Sequence, residues 1–164
     1  MTTSTTSVSD SASIRVATLD DLPAIERLLR AAELPTDGVA GIVKQHAANF
    51  VVAEVRDADT DRPSLVGVAG LEVCCDNALL RSVAVRPEWR QHGVGRTLVQ
   101  RLVCEAESRG IHALFLLTMT AEHYFPRFGF ERIERGEVPP EIAATLEFKS
   151  ACPASAVAMV KPLG

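Results

Sequence analysis

The tightest constraint on this chain lies between residues 78 and 109. An apolar run, Ala78-Leu-Leu-Arg-Ser-Val-Ala-Val85, precedes Arg90-Gln-His-Gly93-Val-Gly95-Arg96. From there Val94, Leu98, Leu102 and Ala106 recur at helical spacing, with Val99 and Val103 beside them. A strand passing through a glycine-rich turn into a helix leaves several backbone N–H groups unpaired at the helix start, where the helix dipole adds partial positive charge. That arrangement suits a phosphate or pyrophosphate. Gly93 and Gly95 let a ligand approach the main chain closely and permit a left-handed turn. The plainer alternative is a glycine-rich helix start with no ligand. No Gly-Lys-Ser/Thr follows, which excludes the Walker type of phosphate loop, and Leu98 stands where the dinucleotide fingerprint needs its third glycine.

The 164 residues, 47% apolar and 23% charged, fit one α/β domain with a substantial core. No apolar run approaches the roughly 18–20 residues that span a bilayer, so no membrane association is expected. Residues 1–13, mostly Ser and Thr, lack the basic start and apolar stretch of a secretory signal. They read as a solvated, disordered tail, with residues 14–164 as the domain and the cytoplasm as default location. A net charge of −4 argues against nucleic acid as a partner. It leaves room for a polyanionic cofactor held by backbone amides with Arg90 and Arg96.

The remaining chain alternates strand and helix signals without an internal repeat. Ile14 to Ala17 reads as a strand, and Thr18 or Asp20 caps a helix from Asp21 to Ala31 with Leu22, Ile25, Leu28 and Leu29 inward. A turn at Leu34 to Gly38 leads to a short helix through Gly41 to His46. Strands follow over Asn49 to Arg56, Ser64 to Cys74 and Ala78 to Val85, joined by turns at Asp57 to Pro63 and Asp76-Asn77. After the long helix, stopped by Gly110, come the buried strand Ala113 to Leu117, a short helix capped by Thr120, and a last strand from Ala156 to Lys161.

The Arg-x-x-Gly-x-Gly pattern after Ser82-Val-Ala-Val-Arg-Pro87 resembles motif A of the GNAT acetyltransferases, whose turn grips the pyrophosphate of acetyl-CoA. Phe125-Pro-Arg-Phe-Gly129-Phe130 resembles that family's second marker, and Ser64 to Glu72 is similar to its third strand. The resemblance runs from about Ile14 to Leu163. It implies a mixed α/β GNAT fold, with a central mixed sheet splayed between strands 4 and 5 and flanking helices. Acetyl-CoA is then the co-substrate. Its implied contacts are Val83, Ala84 and Val85 on the splayed strand, the turn residues Arg90, Gln91, His92, Gly93, Val94, Gly95 and Arg96, and Phe125.

Acetyl transfer to an amine needs anchorage of the thioester, N–H donors for its carbonyl, removal of a proton from the ammonium, and a departing thiolate. Glu72 is the candidate base, because it lies in an otherwise apolar strand where desolvation tunes a carboxylate; a surface acid or a pair with Arg81 is the alternative. The family's tyrosine stands four residues before the closing glycine, and here that place is Phe125. Tyr124, the single tyrosine, is the candidate acid one residue earlier, about 100° away on a regular helix, with Pro126 able to kink it. Strand alternation puts Arg81 on the same side as Val83 and Val85, where its guanidinium could clamp an acceptor carboxylate or pair with Glu72. Thr118 joins Arg81 and Glu72 as an expected acceptor contact.

Further resemblance, in Leu79 to Val85, Leu116 to Glu122, Pro140 to Phe148 and Cys152 to Met159, is to an arsenic-resistance-associated branch similar to the acetyltransferase domain of N-acetylglutamate synthase. It implies a small amino acid or an amino-acid-like toxin as acceptor, with Arg132 or Arg135 available for a second anionic end, and a homodimer as an allowed assembly. Two other readings stand beside it: an acyl-CoA-binding module without transfer activity, and a metalloid-binding accessory protein using Cys74, Cys75 or Cys152. The cysteines show no zinc spacing, so no metal site is expected.

Overall fold

The computed structural model describes residues 12–151 and 155–163, leaving most of the expected tail and Cys152 outside the described residues. Seven strands form one sheet in the order β1-β2-β3-β4-β5-β7-β6. They are β1 (Ser13–Val16), β2 (Phe50–Arg56), β3 (Pro63–Cys74), β4 (Asn77–Val85), β5 (Ala113–Thr118), β6 (Glu131–Ile133) and β7 (Val157–Pro162). The helices are α1 (Leu22–Ala31), α2 (Val39–His46), α3 (Val94–Ser108) and the single turn α4 (Pro140–Ala143). All neighbouring pairs are antiparallel except β4 and β5, which the α3 crossover makes parallel.

Two faces of the sheet are covered. On one, α3 buries Val94, Leu98, Val99, Leu102 and Ala106 against Val51, Ala53, Val66, Ala69, Leu71, Ala78 and Leu80. The opposite face carries two clusters. Ile25, Leu28 and Leu29 of α1 with Val39 and Val43 of α2 cover Phe50, Val52, Val68 and Ala84. Farther along the sheet, Leu79, Phe115 and Ala158 meet Val138, Ile142 and Phe148.

The start of α3 rests directly on β3. A Cβ at Gly67 would lie 2.9 Å from Val94 Cγ1 and 3.0 Å from Leu98 Cδ1, so only glycine admits the helix this close. The contact fixes the height of the glycine turn above the sheet.

The elements differ from expectation in four places. No helix follows Thr120. Residues 119–124 form bends and turns leading into a 3-10 turn at Phe125–Phe128, and Thr118 rather than Thr120 supplies the side-chain bond, accepting the Ala121 N–H at 2.9 Å. The strand β6 was not anticipated, nor was α4. The first strand also starts one residue before the expected Ile14, since Ser13 pairs with Glu54.

Replacing Gly67 with Ala should cost about 1–3 kcal/mol of unfolding free energy through forced repacking. Chemical denaturation of Gly67→Ala beside wild type measures it, and an unchanged midpoint would show that α3 does not depend on this contact.

Candidate active site

β4 and β5 separate after three paired positions, Asn77↔Ala113, Ala78↔Leu114 and Leu79↔Phe115. Beyond Leu79, β4 continues to Val85 while β5 remains paired with β7 through Thr118. The expected splay is therefore present, and the edge of β4 from Leu80 onward faces the opening.

A bulge shapes that edge. Val68 pairs with Ala84 and Gly70 with Arg81, so Ser82 and Val83 together oppose Ala69. Ser82 adopts φ +61°, the left-handed conformation found in such bulges. The extra residue resets the alternation. Val83 and Val85 pack toward the α3 cluster, while Arg81 points across the sheet to the loop before α2. The expectation that Arg81 shares a side with Val83 and Val85 is thus corrected, since unbroken alternation does not survive the bulge. Arg86 donates its N–H to Val66 of β3 at 2.8 Å. Alternation back from there turns the N–H of Ala84 toward β3 and that of Val85 away from it, toward the splay.

The glycine turn follows. Residues Pro87–His92 form a 3-10 turn, and Gly93 takes φ +76° with open space where a Cβ would stand. Thr97 donates its N–H to Gly93 O at 3.0 Å, the first bond of α3, which leaves the N–H groups before it without a partner in the helix. Arg90, Gln91, His92, Gly93 and Arg96 are exposed around that helix start, while Val94 is buried and anchors it. Arg90 Nε bonds the Val85 carbonyl at 3.2 Å, tying the turn to the strand. These residues fit a pyrophosphate: an open helix N-terminus, a left-handed glycine and two exposed guanidiniums.

Tyr124 faces this turn. A Cβ at Gly95 would lie 3.2 Å from the Tyr124 hydroxyl and 3.4 Å from Val85 Cγ2. Its ring packs edge-on against Phe125 and Phe128, and Arg127 stacks 4.4 Å from the ring centroid. Burial pushes the phenol above its ordinary pKa, with Arg127 and Arg96 opposing, so the group stays a donor at neutral pH. Phe125, expected as a cofactor contact, is only 7% exposed and packs into the α3 core beside Phe130. The 3-10 turn beginning at Phe125, with Pro126 in its first positions, replaces the regular helix, so Tyr124 lies toward Gly95 while Phe125 lies in the core.

On the opposite face, Arg81 is fully buried. Its Nη1 bonds Glu72 Oε1 at 2.9 Å, Nη2 bonds the Asp37 carbonyl at 2.6 Å, and Nε bonds Ser82 Oγ at 3.2 Å. Glu147 Oε1 lies 3.6 Å from Nη2. Glu72 keeps a quarter of its side chain exposed, whereas Glu147 is closed off at 5%. Burial pushes the Glu147 carboxyl up to about 7; Arg81 opposes this, and the negative charges of Glu72 and Asp37 add to it. The cluster lies in the seam between the α1–α2 cluster and the α4 cluster, at the mouth of the splay. Arg81 and Glu72 are brought together as expected, but the guanidinium already serves four protein groups and is no open carboxylate clamp. Arg132 pairs with Glu122, and Arg135 bonds the carbonyls of Phe148 and Ala156.

Glu147, Ser82 and Asp37 were missed in the sequence. Glu147 carried the signal that exposed Glu72, an acid among apolar residues, in Ala144-Thr-Leu-Glu-Phe148. Cys75 turns the chain with φ +58°, and burial raises the Cys74 thiol to about 11, away from the thiolate a metalloid requires. A separate groove of about 480 Å³ lies between α1 and the β1–β3 strands, lined by Arg15, Arg27, Arg86, Asp20 and Glu54. Arg15 there is taken by Asp21 at 2.7 Å and Glu54 at 3.0 Å, and the groove holds none of the turn or splay.

Residues 46–132 match the family model described as the acetyltransferase (GNAT) domain. The chain belongs to the GNAT acetyltransferase family. It is 30% identical to an uncharacterized N-acetyltransferase of Chlorobaculum tepidum over 92% of this chain and 96% of that protein. It is 32% identical to an amino-acid acetyltransferase of Mycobacterium tuberculosis over 79% of this chain and 74% of that one. It spans only 30% of the amino-acid acetyltransferase of Pasteurella multocida, at 29% identity over 81% of this chain. Among solved structures, a Mycobacterium tuberculosis protein in complex with CoA aligns with TM-score 0.74 at 26% identity, over 93% of this chain and 99% of that one. The GNAT fold is thereby shown, and the domain is an N-acetyltransferase whose co-substrate is acetyl-CoA. Among the described residues no helix is long and apolar enough to cross a membrane.

Gly93→Asp places a carboxylate at the open helix start and should weaken acetyl-CoA binding more than tenfold, a change of at least about 1.4 kcal/mol. Calorimetric titration of a folded variant tests it, and unchanged affinity would remove the turn from the cofactor site.

Proposed function

We propose that this domain transfers the acetyl group of acetyl-CoA to the α-amino group of a small amino acid or an amino-acid-like toxin of the kind met in arsenic resistance. The observation that carries the reading is that β4 joins two devices: its end runs into the left-handed glycine turn, and its buried Arg81 holds the partly exposed Glu72 at 2.9 Å. The names of the relatives support the acceptor class. Several are amino-acid acetyltransferases, and an N-acetylglutamate synthase of Neisseria gonorrhoeae, complexed with coenzyme A and N-acetyl-glutamate, shares the fold at TM-score 0.74 and 22% identity, over 93% of this chain and 35% of that one.

The chemistry follows from the positions. The N–H of Val85, turned into the splay, holds the acetyl oxygen and stabilises the negative charge that gathers there as the carbonyl carbon becomes tetrahedral. Glu72 takes one proton from the acceptor ammonium, freeing the nitrogen lone pair to attack that carbon. The new C–N bond forms, the C–S bond breaks, and the sulfur leaves with the electron pair as a thiolate, which is a good leaving group without help, while the nitrogen gives up its second surplus proton to water to leave the neutral amide. Tyr124, protonated and beside Gly95, donates a hydrogen bond to the bound co-substrate and is the one phenol placed to supply a proton to the sulfur. Thr118 borders the opening at the end of β5 with its hydroxyl proton unspent, since its oxygen accepts from Ala121.

A screen of the twenty amino acids with acetyl-CoA, reading thiol release, tests the activity; no release above the acetyl-CoA-only rate would contradict it. With the best acceptor, Glu72→Gln should lower kcat by ~10²–10⁴ and leave acetyl-CoA affinity within about twofold. Full kcat in that variant would return Glu72 to a purely structural pair with Arg81.

A further inference from the structure

Glu147 is the one buried titratable side chain at the site that the chemistry above leaves unused. It comes from a segment remote in sequence from β3 and β4, yet it meets the same guanidinium as the base. We propose that Glu147 is a positioning residue that works through Arg81, sharing its charge with Glu72 and so setting how firmly Glu72 is held when it receives the acceptor's proton. The proposal rests on the reading of Glu72 as base.

The geometry carries it. Glu72 and Glu147 engage different nitrogens of one planar group, Nη1 at 2.9 Å and Nη2 at 3.6 Å, so both can be served at once. The guanidinium cannot follow either of them away, because Nη2 also bonds the Asp37 carbonyl and Nε bonds Ser82. Glu72 is partly open to solvent and Glu147 is closed, which divides the labour: one carboxylate meets the acceptor and the other meets only the arginine. With Glu147 neutral, the whole positive charge of Arg81 binds the Glu72 anion and opposes its protonation. With Glu147 ionised, that charge is divided and Glu72 takes a proton more readily.

The switch between those states falls in the working range. Burial, Glu72 and Asp37 hold the Glu147 proton up to about 7, against Arg81. Of the other charged groups near its segment, Arg135 is directed at the Phe148 carbonyl and ring, and Lys149 in the same turn is exposed. Turnover should therefore rise as pH passes 7. Folding stability should move the other way, because a carboxyl raised from 4.5 to about 7 favours the fold while protonated and loses that contribution as pH climbs through 7.

Two readouts test the proposal. The first is a carboxyl-carbon NMR titration of the free protein, labelled at glutamate and needing no acceptor. The Glu72 resonance of the wild type should show an inflection where Glu147 titrates, and Glu147→Gln should abolish it. The second is the pH profile of kcat with the best amino acid from the thiol-release screen. Glu147→Gln should flatten the step near pH 7 and lower kcat at pH 8 by roughly three- to tenfold, with the acetyl-CoA KM unchanged, while Glu147→Asp restores a step. Thermal unfolding in parallel should show the wild-type decline from pH 5 to pH 8 absent in Glu147→Gln. An inflection and step that persist unchanged in a folded Glu147→Gln protein overturn the proposal and leave Glu72 as base. A Glu72→Gln variant with full kcat overturns the base reading instead.

Discussion

A guanidinium without any exposed side-chain surface organises this site. Arg81 joins β3 through Glu72, its own strand through Ser82, the loop before α2 through Asp37, and the C-terminal segment through Glu147. Burying such a charge is costly, and the cost is offset only while its partners remain in place. Each partner belongs to a different part of the chain, so the ion cluster registers the two apolar clusters on that face against the sheet. Removing the arginine would leave Glu147 closed off without its cation. The same interaction that keeps the fold in register thus also holds an acid at the mouth of the splay.

Two backbone devices do the complementary work on the cofactor side. The Ser82 bulge inserts one residue into β4 and sends Val83 and Val85 to the α3 face. The left-handed Gly93 then swings the chain into α3, whose first N–H groups have no partner within the helix. Gly67 holds that helix start down on β3. Strand, bulge, turn and helix are consecutive in sequence, so the edge of β4 and the start of α3 are placed relative to each other locally. The acceptor side is assembled from segments distant in sequence. That difference is a physical reason why cofactor recognition is shared across a family while acceptor choice is not.

The same difference explains what could be read in the sequence. Strand and helix periodicity placed β2, β3, β4, α1, α3 and β5 to within one or two residues, and the glycines marked the turn, because these signals are local. Arg81 and Glu72 stood out as charges in apolar strands, and their pairing was among the alternatives. The bulge was not legible, since a serine at φ +61° has no sequence mark, and without it alternation assigned Arg81 to the wrong side. Tyr124 and Phe125 could not be sorted by helical rotation, because Pro126 puts a 3-10 turn where a helix was assumed. The three-residue β6 is too short for any period to show. Glu147 was hidden for a different reason: its partner lies on a strand that only the fold brings near.

A co-substrate bound along the bulged edge of β4 and the start of α3 must perturb the amides there. Amide chemical-shift mapping of the wild-type protein titrated with a non-hydrolysable acetyl-CoA analogue tests this most directly. The N–H resonances of Val83, Val85, Gly93, Gly95 and Arg96 should shift together and saturate at one affinity. Saturable binding that leaves those five amides unmoved and perturbs the Arg15–Arg27–Arg86 groove instead would contradict it.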